Sequence, residues 1–116
     1  MPNTWQAASS TCKNSGYDGL ASILDASEMA FISNLLPTNI NVRLWIGFND
    51  QAVASNWIWE SGLSNTFTNW RTSPISEPSG DGDCAEMFHY GDSGGNAGLW
   101  NDASCTVQRA FICEQR

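Results

Sequence analysis

Two early stretches of helical periodicity, then short apolar runs separated by long loops, place this chain of 116 residues in the α+β class with an antiparallel sheet. A third observation constrains the class. The cysteines Cys12, Cys84, Cys105 and Cys113 are even in number and permit two disulfides in three connectivities. A nested pairing, Cys12 with Cys113 and Cys84 with Cys105, suits a domain whose ends meet. No repeat, linker or low-complexity tract interrupts the chain, so residues 1–116 read as one domain.

The elements follow in order. Trp5, Ala8 and Cys12 recur at helical spacing, Thr4 can cap their first turn, and Gly16 is a stop. A second helix starts near Asp25, with Glu28 in capping-box position and Met29, Ile32 and Leu36 as its apolar stripe beside Leu35; Pro37 ends it. Residues 42–48 read as a buried strand, Trp57-Ile58-Trp59 as a second, and Ser61-Gly62 as a turn. Phe67 and Trp70 anchor the next stretch. Residues 71–83 are rich in Ser, Pro, Gly and Asp and read as loop. Strands follow at 84–90, near Leu99-Trp100, and from Arg109 to Cys113, around a Gly-rich excursion at 91–98. A connection as long as 60–83 is functional when it is ordered.

Composition excludes whole classes of function. Twelve acidic against five basic residues give a net charge of -7, which repels a phosphate backbone and argues against nucleic acid. No apolar run approaches the ~20 residues of a membrane span, so no membrane insertion is expected. Met1-Pro2-Asn3 leads almost directly into the first helix, which is expected either of an excised domain or of a chain whose leader was replaced by an initiator Met. There is no Cys-x-x-Cys pair and one histidine, His89, which argues against structural zinc. Disulfides place the chain in a secreted or cell-surface setting.

The chemistry concentrates in two tripeptides. Glu77-Pro78-Ser79 and Trp100-Asn101-Asp102 bracket Cys84, with Cys105 close behind. They offer a carboxylate and a hydroxyl on one side, and an amide and a carboxylate on the other. Hard oxygen donors converging from two loops suit calcium, which takes six to eight oxygens in a flexible shell.

The ordered set Trp5-Gln-Ala-Ala, Cys12, Leu20-Ala-Ser-Ile, Trp45-Ile-Gly-Phe, Trp57-Ile-Trp, Asn69-Trp70, Glu77-Pro-Ser, Asp83-Cys84-Ala, Trp100-Asn-Asp, Cys105 and Phe111-Ile-Cys-Glu resembles the C-type lectin-like domain family over nearly the whole chain. The resemblance implies two helices flanking two small antiparallel sheets, the nested disulfides, a long ordered loop region, and one Ca2+ at a sugar site. It further implies metal ligands at Glu77, Ser79, Asn101 and Asp102, with a cis peptide before Pro78. Two departures stand out. Family members place a glutamate two residues before the cysteine that matches Cys84, where this chain has Gly82, leaving Asp81 or Asp83 to substitute, or no ligand there. An auxiliary calcium site retains Asp50 and Asp83 but has Ala54 and Gly80 where ligands belong. The family's first strand is also missing. That predicts an uncovered edge on the last strand, which a partner chain in a homodimer would cover.

A calcium ion held by such side chains keeps coordination positions for two vicinal sugar hydroxyls, while the same residues exchange charge-assisted hydrogen bonds with those hydroxyls. The expected partner is therefore a carbohydrate: a mono- or oligosaccharide, a glycoprotein or a cell-surface glycan. Glu77, Ser79, Asn101 and Asp102 double as sugar-binding residues. Ser79 stands where mannose-type members carry Asn and galactose-type members carry Asp, and its short hydroxyl dictates geometry less strongly. Tyr90, His89 and Trp70 are candidates for packing on a sugar face, and the reading leans to galactose-type ligands. The alternative is a lectin-like domain that has lost sugar binding and recognises protein or another surface such as ice. An enzyme is not expected: Glu77 and Asp102 could pair as glycosidase carboxylates, but both are better explained as metal ligands. Glu86 reads as a surface residue, and Trp45, Trp57 and Trp59 as core.

Overall fold

The computed structural model describes residues 2–36, 41–64, 66–72, 77–89 and 98–115. Pro37, Tyr90 and most of the Gly-rich excursion lie outside them. Helix α1 spans Trp5–Asn14, and the Thr4 hydroxyl at its N-cap accepts from the Ala7 N–H at 3.3 Å. Trp5, Ala8 and Cys12 form its buried stripe, as their spacing predicts. Past its C-terminus, Gly16 takes a φ of 93° that few other residues tolerate. Strand β1, Gly19–Leu20, is too short to show a period and has no counterpart in the sequence reading.

Helix α2 spans Ala26–Leu35. The Asp25 carboxylate accepts from Glu28 N–H at 2.8 Å, and Glu28 in return accepts from the N–H of Leu24, one residue earlier than a capping box requires. Met29 and Ile32 are buried, while Leu35 is exposed.

The larger sheet contains β2 (Arg43–Asn49), β3 (Ile58–Trp59), β4 (Cys84–Phe88), β5 (Trp100–Ala103) and β6 (Ala110–Phe111), in the order β3-β2-β4-β5 with β6 also on β2. Pairings among these are antiparallel except β2 with β6, which is parallel. The smaller sheet joins β1 to β7 (Cys113–Glu114). The single last strand expected at 109–113 is thus two short ones, because its partner changes from β2 to β1 midway.

That change also corrects the expectation of an uncovered edge. Asn3 and Arg109 exchange two hydrogen bonds of 2.8 Å, Ile112 accepts from Ala21, and 113–114 pair with 19–20. Asn3 and β1 thus pair with the two ends of this segment, which removes the uncovered edge that is the reason to expect a homodimer.

The larger sheet is buried on both faces. Leu44, Ile46, Phe48, Ala85, Met87 and Trp100 pack with α2 residues Met29 and Ile32 on one side, and Trp45, Cys84 and Ala103 pack with Trp5, Ala8 and Cys12 of α1 on the other. Each fully buried large side chain contributes about 1.5–3 kcal/mol by removal from water. Two disulfides, Cys12–Cys113 and Cys84–Cys105, close loops of sequence separation 101 and 21. On the chain-entropy account these contribute about 4–5 and about 3 kcal/mol.

Candidate functional site

The site forms along β5, the outer strand of the larger sheet. The long loop returns to it twice. First, Asn69 accepts from Trp100 N–H at 2.9 Å and Arg71 N–H donates to the Trp100 carbonyl at 2.8 Å. Then residues 77–82 wrap around Asp102. The Glu77–Pro78 peptide is cis, as the resemblance implied.

Asp102, 1% exposed, organises the second contact. Its Oδ1 accepts from the N–H of Ser79 at 3.1 Å, and its Oδ2 from those of Gly80, Asp81 and Gly82 at 2.9, 2.7 and 3.3 Å. The Ser79 hydroxyl donates to Asp81 at 2.9 Å and lies 3.4 Å from Asp102 Oδ1. Burial raises the Asp102 pKa, but the Ser79 N–H, the adjoining Glu77 carboxyl and the Gly82 and Asp81 N–H groups together hold it below the ordinary carboxylate value.

Three carboxylates meet here. Glu77, Asp81 and Asp102 each bring an oxygen within 4.8 Å of the others, a spacing able to hold a metal ion. Glu77 is 7% exposed. Its Oε2 takes a 2.9 Å ion pair from Arg71, and its Oε1 is buried with no hydrogen-bond partner. An orphaned carboxylate oxygen beside two further carboxylates fits a hard divalent ion.

Asn101, next to Asp102 on β5, donates from Nδ2 to Glu86 Oε2 at 2.9 Å and leaves its Oδ1 buried without a partner. The other named residues are placed differently. Asp83 lies against Asp50, whose hydrogen bond and like charge, with burial and Asp102 adding, raise the Asp83 pKa. Of the two substitutes open in sequence, Asp81 therefore joins the carboxylate group and Asp83 does not. Trp70 is half-buried, its ring 4.9 Å from Trp57, 5.8 Å from Phe48 and 6.0 Å from Trp100, so it packs in an aromatic cluster rather than standing free for a sugar. His89 is only 5% exposed. Tyr90 lies outside the described residues.

Sequence reasoning missed Arg71 and misjudged Glu86. Arg71 holds Glu77 and stacks 5.0 Å over the Phe88 ring; a lone cation in an otherwise uncharged stretch was the available signal. Glu86 is not a surface residue. It is 0% exposed, because Arg109 and Arg43 reach its two oxygens at 2.8 and 3.4 Å.

Comparison with known proteins identifies the family and the fold. Residues 1–115 match the family described as Lectin C-type domain. An alpha-N-acetylgalactosamine-specific lectin of Patiria pectinifera is 35% identical, the match covering 96% of this chain and 67% of the relative. The galactose-specific lectin nattectin of Thalassophryne nattereri is 32% identical over 94% of this chain and 65% of its own length, so this chain spans about two thirds of both relatives. In structure, a calcium-independent type II antifreeze protein superposes with a TM-score of 0.77 at 27% identity, covering 97% of this chain and 78% of that one. No helix among the described residues is long and apolar enough to cross a membrane. With residues 1–115 matched to that family and a relative 35% identical along 96% of its length, this chain belongs to the C-type lectin domain family.

Proposed function

We propose that this chain is a calcium-dependent lectin for galactose-type glycans, acting outside the cell. Glu77, Asp81 and Asp102 supply carboxylate oxygens to the ion, and Ser79 and Asn101 supply neutral ones. The observation that carries this reading is the convergence of the three carboxylates around a buried Glu77 oxygen that has no donor. Bound calcium offers open coordination positions to two vicinal sugar hydroxyls.

The chain's own residues do the rest. Arg71 fixes Glu77 through one oxygen and leaves the other to face the ion. Asp102 holds the Ser79–Gly82 backbone in place, so Ser79 and Asp81 are presented without a separate ordering step. Glu77 and Asp81 accept hydrogen bonds from ligand hydroxyls, and the Ser79 hydroxyl donates or accepts. The galactose preference is supported by the short arm of Ser79 and by the specificities in the names of the two relatives. These carboxylates bind and orient; no part of the proposal assigns them a catalytic step.

A second reading rests on a specific observation. The Asp102 oxygens are already occupied by backbone N–H groups, so the loop holds its shape without a cation. With the likeness to a calcium-independent antifreeze protein, this favours a domain that recognises a surface without metal. Chromatography separates the two. The lectin reading expects retention on immobilised galactose or N-acetylgalactosamine, weaker retention on mannose, and complete release by a calcium chelator. Retention that survives the chelator, or no retention on any of the three, overturns it.

A further inference from the structure

The geometry points to Glu86 as a positioning residue that sets which end of the Asn101 amide faces the metal. The inference rests on the calcium reading above. A side-chain amide has two nearly isosteric orientations. One turns an oxygen toward a cation, and the other turns two N–H groups toward it. Packing alone distinguishes them poorly, so something must select the productive one.

Glu86 has the properties that selection requires. It lies directly opposite Asn101 in the β4–β5 pairing, so the two side chains share one face of the sheet. An ionised carboxylate only accepts hydrogen bonds, so it attracts Nδ2 and repels Oδ1. Nδ2 accordingly donates to Glu86 Oε2 at 2.9 Å. Oδ1 is the buried atom left without a partner. Glu86 itself is fully buried, and Arg109 Nε at 2.8 Å on Oε1 and Arg43 at 3.4 Å on Oε2 hold it in place as an ion-paired acceptor. A chain of contacts therefore runs from two arginines through Glu86 to the amide that presents its oxygen.

A purely structural ion pair would hold the strands together without affecting the metal, and a double-mutant cycle separates the two roles. In Glu86→Gln the partner at 86 can donate or accept, so both orientations of Asn101 are satisfied and selection is lost. Titrated with calcium alone and followed by calorimetry, this variant is expected to bind at least about tenfold more weakly than the native chain, the usual effect of losing a supporting contact behind a metal ligand. Asn101→Asp removes the choice, because both atoms of a carboxylate are oxygens. E86Q made in the N101D background is expected to cost less than about twofold, where a structural role predicts the same loss in both backgrounds. Equal losses in both backgrounds, or no loss in the native one, overturn the inference. A native chain that takes up no calcium at the millimolar level overturns the proposed function and this inference together. Should E86Q fail to unfold cooperatively, side-chain amide NMR of the native chain decides. Slowly exchanging Nδ2 protons of Asn101 with and without calcium support the assignment, and rapid exchange in the calcium-free chain overturns it.

Discussion

Gly82 crosses β5 so closely that a Cβ built on it would lie 2.0 Å from the carbonyl carbon of Ala103. Its own N–H donates to Asp102 at 3.3 Å, so the loop cannot lift to make room without losing that bond. Position 82, where the resemblance implied a glutamate, therefore cannot accept any side chain, because the chain passes directly over the strand there.

It follows that a side chain introduced at position 82 should disrupt this loop rather than add a ligand. Gly82→Ala is expected to lose about 1–3 kcal/mol or more by overpacking. In a domain of this size each kcal/mol lowers Tm by roughly 4–8 °C. Gly82→Glu should lose at least as much and bind calcium no better, as thermal unfolding with and without the ion will show.

Calcium should stabilise the native chain in proportion to its binding. At about ten times Kd the gain is about 1.4 kcal/mol by mass action. Asp81→Asn should remove most of that gain, because its carboxylate belongs to the converging group. Asp83→Asn should retain it, since Asp83 faces Asp50 instead. Calcium-dependent shifts in Tm of the two variants measure the difference.

Asp102 makes a pH-dependent contribution. Its pKa is lower in the fold than its ordinary value of 3.8, so the stability it confers is fully present above 3.8 and is lost as pH falls through the depressed value. Asp102→Asn leaves one carbonyl oxygen for four backbone donors and should cost about 2 kcal/mol at neutral pH, most of it gone in strong acid. Urea unfolding across pH in the calcium-free chain tests both statements.

Asp83 has the opposite sign. Its pKa is raised above 3.8 by Asp50, so the ionised form is disfavoured in the fold, and this group's effect on stability worsens as pH rises from 3.8 through the raised value. Asp83→Asn should raise Tm at neutral pH in chelator and give no gain below 3.8, where Asp83 is already protonated.

The helices were legible because their signals are local. Thr4 and Asp25 cap through bonds three residues long, and Trp5, Ala8, Cys12, Met29 and Ile32 show the helical period directly. The tripeptides of the site were legible because their residue types are unusual in combination. What remained hidden depends on distant partners. The Arg109–Cys113 segment changes neighbours at Ile112, which no local pattern encodes. Glu86 looks like an ordinary strand acid until Arg43 and Arg109 arrive from other parts of the chain. The choice of Asp81 over Asp83 is made by the direction in which residues 79–82 turn, and Asp102, some twenty residues on, fixes that direction.

Trp100 is fully buried, meets Phe48, Trp59, Phe67 and Trp70 edge to face, and directly precedes the Asn101-Asp102 pair. Its indole should therefore emit at short wavelength, and its brightness depends on how closely Trp59 and Trp70 approach. A shift of β5 or of the 69–71 segment would alter that coupling before the rest of the domain responded. The domain thus carries a built-in optical gauge of its β5 edge, readable without any attached dye.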